Sequence, residues 1–253
     1  MDEVCNEVKV MKDLRHVNLV ALLGVVDNAQ SAPWLVMEYC GGGDLYHLLY
    51  SNVEMPWPLR LRLVGDIISG LVYLHQQQIV HCDMKSANVL LTEGKRGKLA
   101  DFGLSVVRDH STTTMHGSGG GVGGTVRWMA PELFTRQFAK PSRASDVWAF
   151  GMILFEIAAR KLPFAEGNDV QIRGWLKDGE LEKVPGECLK EAPGLGEVME
   201  RCWRPRLERA AAMELAPLIF ELLPKEEEQS PVVNSSMPDA SASASMFNPY
   251  EKY

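Results

Sequence analysis

Residues 79–91 read IVHCDMKSANVLL. Two short apolar pieces, Ile79–Val80 and Val89–Leu91, bracket a polar loop that holds Asp83, Lys85 and Asn88. The loop between them places a carboxylate five residues ahead of a carboxamide, with a lysine between the two. Asp101-Phe102-Gly103 follows ten residues beyond Leu91, then Ala130-Pro131-Glu132, then DVWAFG at 146–151. Any one of these short motifs is a weak signal. The four in this order and at this spacing decide the fold.

Outward from the loop, toward the N-terminus, Pro56 and Pro58 introduce a helix running to about His75. Its apolar stripe is Leu63, Val64, Ile67, Ile68, Leu71 and Leu74. LVALLGVV (19–26) and WLVMEYC (34–40) predict two strands joined by a polar loop, Asp27 to Ala32. The second strand ends at Gly41, Gly42 and Gly43. Asp44 is placed to cap a short helix through His47 and Leu49. Residues 3–14 carry Val4, Val8, Met11 and Leu14 at helical spacing. Toward the C-terminus, a third short apolar piece falls at Lys98–Ala100, and residues 105–127 form a loop rich in Gly, Ser and Thr. Asp146 to Ala159 is apolar nearly all round, which marks a central helix. Amphipathic helical segments recur to Leu223, after which a Ser/Ala/Pro-rich polar stretch, 224–253, predicts disorder.

The composition narrows the function classes. At 253 residues the chain suits one or two domains. Its 46% hydrophobic and 23% charged residues are ordinary for a globular protein. A net charge of −7 argues against a nucleic-acid partner held through phosphates, and against docking to an anionic membrane. Cys5, Cys40, Cys82, Cys188 and Cys202 are odd in number and include no C-x-x-C. That excludes a disulfide framework or zinc knuckle and makes a reducing compartment, the cytoplasm, the expectation. The longest apolar run, Val147–Phe155, is far short of a membrane span, and the opening MDEVCNEVKV lacks the basic and apolar regions of a signal peptide.

In order and spacing, the four motifs resemble the catalytic half of a eukaryotic protein kinase, over residues 3–223. The resemblance implies an α+β protein-kinase-like fold. A truncated N-lobe of one helix and two strands (1–40) would precede a mostly helical C-lobe (41–223) and a tail (224–253). It also implies transfer of the γ-phosphate of ATP to Ser or Thr of a protein substrate, with ATP and Mg²⁺ as cofactors. Phosphoryl transfer to a hydroxyl needs positioning and charge neutralisation more than covalent catalysis. By resemblance, Asp83 orients or accepts the hydroxyl proton and Lys85 neutralises the γ-phosphate. Asn88 and Asp101 hold magnesium, as suits an oxygen-seeking ion. Glu38 to Cys40 offer hinge backbone groups to adenine, Leu90 floors it, and Asp44 belongs to the same nucleotide-binding set. Met37 resembles the gatekeeper. Met11, His81 and Phe102 resemble members of the hydrophobic spine.

Scaffold roles follow in the same way. Glu7 matches the helix glutamate that pairs with the ATP-binding lysine, and Asp146 the aspartate that ties down the catalytic loop. Glu132 and Arg209 match a buried ion pair, although CWRPRLER brings Arg209 one residue early. Lys85 looks like a serine/threonine kinase, whereas GTVRWMAPE (124–132) and Cys202-Trp203 look tyrosine-kinase-like. The combination resembles the tyrosine-kinase-like group, and Thr125 matches the threonine that bonds the catalytic loop in Ser/Thr kinases.

Three departures from the family qualify this expectation. Six residues precede Glu7, too few for the glycine-rich loop and the lysine strand, since one strand alone takes about five or six residues. Gly119, Gly121 and Gly124 spell G-x-G-x-x-G, but they follow no strand and read as part of the activation loop. The arginine expected between His81 and Asp83 is Cys82, so phosphorylation at Ser111, Thr112, Thr113, Thr114 or Ser118 would lack its main charge-assisted partner. Two readings therefore stand: a Ser/Thr kinase domain, or a pseudokinase that binds partners and transfers nothing.

Overall fold

The computed structural model describes residue 8 and residues 10–26, 34–102, 105–107, 125–135 and 140–224. Glu7, the loop 27–33, the five candidate phosphosites, the G-x-G-x-x-G segment and the tail beyond Pro224 lie outside these residues. Of the predicted N-terminal helix, Val8, Val10 and Met11 are helical, and the Lys12 N–H donates to the Val8 carbonyl at 3.0 Å.

Two strands precede Gly41–Gly43. β1 (Leu22–Val26) and β2 (Trp34–Met37) pair antiparallel, with Leu22 opposite Met37 and a register shift between Leu22 and Gly24. β1 starts three residues later than the apolar run predicts. Leu19 and Val20 are buried and go elsewhere: Leu19 bridges Leu99, and the Val20 N–H donates to the Leu99 carbonyl at 2.9 Å. Burial on both faces draws these two residues down into the main body, while Leu23, Val25 and Val26 stay exposed. β2 ends at Met37, so Glu38–Cys40 leave the ladder as an extended connection.

The rest is helical with short ladders. α1 (Leu45–Leu49) is capped by Asp44, which accepts the His47 N–H at 2.8 Å. α2 (Trp57–Gln76) opens with Pro56 at the cap and Pro58 in its first turn, where a missing N–H costs nothing. All six residues of its predicted stripe are at most 1% exposed. β3 (Ile79–Val80) pairs with β6 (Val106–Val107), and β4 (Val89–Leu91) with β5 (Gly97–Leu99), one residue earlier than the apolar pattern placed it. After a single turn of helix, α3 (Glu132–Thr135), comes α4 (Arg143–Ala159). It begins three residues before Asp146, because Ser142 and Ser145 form a reciprocal cap. Every residue from Ser145 to Ala158 in α4 is buried. Arg160 then turns left-handed (φ 51°), and its guanidinium bonds the carbonyls of Leu48, Leu49, Ser51 and Val53, fastening α1 to the end of α4. α5 (Asp169–Lys177), α6 (Gly186–Glu191), α7 (Pro193–Cys202) and α8 (Ala212–Glu221) complete the body. α2 packs against α4, α8 and β5, and α7 against α4. One hydrophobic core runs through these helices and the small ladders.

Candidate active site

α4 and β3 set the loop of residues 81–88. The carboxylate of Asp146, 2% exposed near the start of α4, accepts the N–H of His81 at 2.9 Å, that of Cys82 at 3.0 Å and Nε2 of His75 at 3.0 Å. Cys82 is held left-handed (φ 71°). Two consecutive backbone N–H groups on one carboxylate impose that turn, and it delivers Asp83 to the loop's inner side. The match of Asp146 to a loop anchor is thus borne out in the geometry.

Asp83, Lys85 and Asn88 converge. Lys85 Nζ lies 2.6 Å from Asp83 Oδ2. Asn88 Nδ2 donates to the same oxygen at 3.0 Å and to the Asp83 carbonyl at 2.8 Å. Oδ2 is therefore occupied, and Asp83 Oδ1 accepts no bond among the described residues. With Nδ2 committed, Asn88 is left with Oδ1. The Asn88 carbonyl accepts the Ala100 N–H at 2.9 Å, which sets Asp101 beside Asn88. Asp101 is exposed and left-handed (φ 63°), and its carboxylate has no hydrogen-bond partner among the described residues. An amide oxygen and a free carboxylate on backbone segments joined by the Ala100 N–H are hard oxygen donors. They fit a magnesium ion, which takes one or two protein oxygens and completes its shell with phosphate and water.

Phe102 and His81 are fully buried, their ring centroids 5.4 Å apart. His81 Nε2 lies 3.0 Å from the Ala100 carbonyl, and the Asp83 N–H donates to Nδ1 at 3.4 Å, which assigns the ring proton to Nε2. His81 is a core residue, as the sequence predicts. Met11 is also buried.

The nucleotide-binding candidates form a strip rather than a cluster with Asp83. Asp44 bridges Leu90 across the backbone, and Leu90 stands opposite Lys98 in the β4–β5 ladder. Lys98 Nζ pairs with the Glu38 carboxylate at 2.9 Å. Glu38 also exchanges bonds with Ala21: its N–H donates to the Ala21 carbonyl at 2.9 Å, and its carboxylate accepts the Ala21 N–H at 3.3 Å. Among the described residues, the Glu38 carbonyl and the Cys40 N–H are left open. The Cys40 thiol is pushed above its ordinary pKa by partial burial first and Glu38 second. Both Asp44 oxygens face His47, one at the backbone N–H and one 2.6 Å from Nδ1. Met37 is 41% exposed on its two-stranded sheet.

The fold brings Glu132 and Arg209 together despite the shortened spacing. The guanidinium reaches both carboxylate oxygens, at 2.8 and 3.1 Å, and caps the Trp148 ring at 5.1 Å. The Thr125 side chain lies outside the described residues.

The model of the family described as protein tyrosine and serine/threonine kinase matches residues 1–216. The chain belongs to this protein kinase family. Receptor-interacting serine/threonine-protein kinase 3 of Rattus norvegicus is 36% identical over 216 residues, which cover 79% of this chain and 44% of the relative. The Homo sapiens protein of that name is 32% identical over 254 residues, 92% of this chain and 46% of its own length. Mitogen-activated protein kinase kinase kinase 13-B of Xenopus laevis is 32% identical over 199 residues, 78% of this chain and 20% of the relative. The chain spans less than half the length of these curated relatives. These similarities agree with the tyrosine-kinase-like reading. Among the described residues, no helix is long and apolar enough to cross a membrane.

Three residues of the candidate site escaped the sequence reading: Lys98, Ser86 and Glu156. Lys98 gives no sequence signal. Ser86 sits inside the decisive motif. Glu156 is the one charge between Val147 and Ala159 in an otherwise apolar run, which is itself a signal, since such a group is buried only with partners.

Proposed function

We propose that this chain transfers the γ-phosphoryl group of ATP to serine or threonine hydroxyls of a protein. The observation that carries the reading is the locked orientation of Asp83, whose Oδ2 is held by Lys85 and Asn88 while Oδ1 is left open. An oriented carboxylate with one free oxygen accepts a hydrogen bond from an acceptor hydroxyl and takes its proton as the oxygen attacks. Lys85, paired with Asp83 Oδ2, brings positive charge to where the transferring group gathers negative charge. Asn88 Oδ1 and Asp101 would hold magnesium, which supplies charge neutralisation at the phosphates when bound. The Glu38 carbonyl and Cys40 N–H offer adenine an acceptor and a donor, with Leu90 beneath. Each Asp44 oxygen keeps a lone pair for a nucleotide hydroxyl beyond its bond to His47.

A second reading, a partner-binding module that transfers nothing, is favoured by one observation. The β1–β2 sheet exposes Leu23, Val25, Trp34 and Val36. The test is phosphate transfer from labelled MgATP to Ser/Thr peptides by the purified chain and its Asp83→Asn variant. Transfer lost in the variant supports the kinase reading. Absence of transfer by the wild type, with folding intact, selects the second.

A further inference from the structure

We infer that Glu156 is a positioning residue: one buried carboxylate on α4 locks the catalytic loop to the segment ahead of Ala130-Pro131-Glu132 and to α1. Glu156 is fully buried. Its Oε1 accepts Ser86 Oγ at 2.7 Å and Tyr50 OH at 2.8 Å, and its Oε2 accepts Trp128 Nε1 at 2.6 Å. The three donors lie far apart in sequence, and each belongs to a segment with work to do. Ser86 is inside the loop of Asp83, Lys85 and Asn88. Trp128 ends the short 3-10 turn Thr125–Trp128, and Tyr50 closes α1, which Asp44 caps at its start.

The position along α4 matters as much as the bonds. Asp146 grips the loop at residues 81 and 82, and Glu156 grips it at residue 86. Ten residues of helix separate the two carboxylates by about 15 Å. Asp83 and Lys85 lie between the two fixed points, on a rigid rod. A loop pinned at one end only would leave Lys85 and Asn88 free to swing away from Asp83.

Stability alone does not account for a carboxylate here. A buried acid is desolvated, and an apolar side chain of similar volume would fill the same space without that penalty. Burial indeed pushes the Glu156 pKa up to about 7, against the three bonds that lower it. What an apolar residue could not do is accept three directed bonds from three segments. Nor is this an open subsite for a basic substrate side chain, because the group is fully buried and both oxygens are engaged.

The inference rests on the kinase reading for its catalytic meaning, and its test does not depend on activity. Amide hydrogen exchange is measured on wild type, Ser86→Ala, Trp128→Phe, Glu156→Leu and Glu156→Gln, at a pH above 7. Ser86→Ala should speed exchange about tenfold or more at Asn88 and Val89, the loss expected for one bond to a charged group, and leave 126–129 protected. Trp128→Phe should do the reverse. Glu156→Leu should loosen both segments together. Glu156→Gln should keep most of the protection, because its amide oxygen still accepts from Trp128, a donor only, while its NH₂ donates to the hydroxyls, which can reverse. Where the wild type transfers phosphate, Ser86→Ala should lower kcat with little change in peptide KM, and Trp128→Phe should mainly raise KM. Exchange that rises uniformly across the chain, or in neither segment, overturns the inference. Wild type that transfers nothing overturns the kinase reading instead, and the exchange pattern still decides Glu156.

Discussion

Asn88 Nδ2 donates both to the carbonyl and to Oδ2 of Asp83, at 2.8 and 3.0 Å. One carboxamide thus fixes the backbone and the side chain of the same residue, five positions away. The short 3-10 turn Ser86–Asn88 makes that return possible, and it hands Val89 straight into β4. Position, more than chemistry, is what the loop supplies, and several consequences can be measured.

Asp83→Asn should reduce phosphate transfer by at least 10²–10³, the usual worth of a removed electrostatic or positioning contact. Nucleotide affinity should change less than about threefold, because the proposed role of Asp83 is at the acceptor hydroxyl and not at ATP. Asp101→Asn should behave differently: it removes the exposed carboxylate proposed to hold magnesium, so nucleotide binding should lose its dependence on magnesium. Titrating a fluorescent ATP analogue with and without Mg²⁺ separates the two. Equal effects of both variants on affinity would mean that the roles are misassigned.

Glu132 and Arg209 should be coupled. Arg209 has a 1% exposed side chain and meets both oxygens of Glu132. Truncating either residue to Ala strands a buried charge and should cost about 3–5 kcal/mol, whereas losing both should cost much less than the sum. Arg209→Lys should also be destabilising, since the two-pronged geometry is lost. Urea unfolding of the double-mutant cycle reads this directly, and additive losses would contradict it.

Much of this was legible in the sequence, for local reasons. The α2 stripe at Leu63, Ile67, Leu71 and Leu74 shows its period, and Asp83, Lys85 and Asn88 converge within one short loop. What was hidden is long-range. The partners of Glu156 lie 106, 70 and 28 residues away, and no periodicity shows them. Leu19 and Val20 read as a continuation of β1, yet they pair with Leu99, because pairing partners are chosen by tertiary burial and not by the run itself. Arg209 falls one residue early and still reaches Glu132, because its long side chain spans the difference in loop length.

The pH dependence of stability should carry the signature of Glu156. Its folded pKa is raised from 4.5 to about 7, chiefly by burial. A raised acid pKa means the folded state binds the proton more tightly than the unfolded chain. The contribution is full below 4.5 and is lost as pH rises toward about 7. At about 1.4 kcal/mol per unit, the swing is about 3 kcal/mol. Wild type should therefore lose about that much stability relative to Glu156→Gln between pH 4.5 and 7, and run parallel to it above. Denaturation midpoints of the pair across pH 4–8 check the sign. A difference that grows in favour of the wild type with rising pH would refute it.

Gly42 and Gly43 should fail in different ways when changed to Ala. A Cβ on Gly42 would lie 2.3 Å from the Thr92 carbonyl oxygen and 2.8 Å from that of Leu91. These are backbone atoms that cannot step aside. The chain passes so close because the Gly42 N–H donates to the Leu91 carbonyl at 2.8 Å, which seats the Glu38–Cys40 connection over β4 and Leu90. Gly43 meets nothing within 4 Å, but its φ is +76°. Ala there costs only left-handed strain, roughly 1–2 kcal/mol. Gly42→Ala should therefore push the connection off Leu90 and weaken nucleotide binding about tenfold or more, besides destabilising by about 1–3 kcal/mol as overpacking does. Gly43→Ala should lower stability while nucleotide affinity holds within about twofold. Measuring both quantities for both variants separates displacement from strain. Matched losses of affinity would show that the close approach at Gly42 does not set the nucleotide floor.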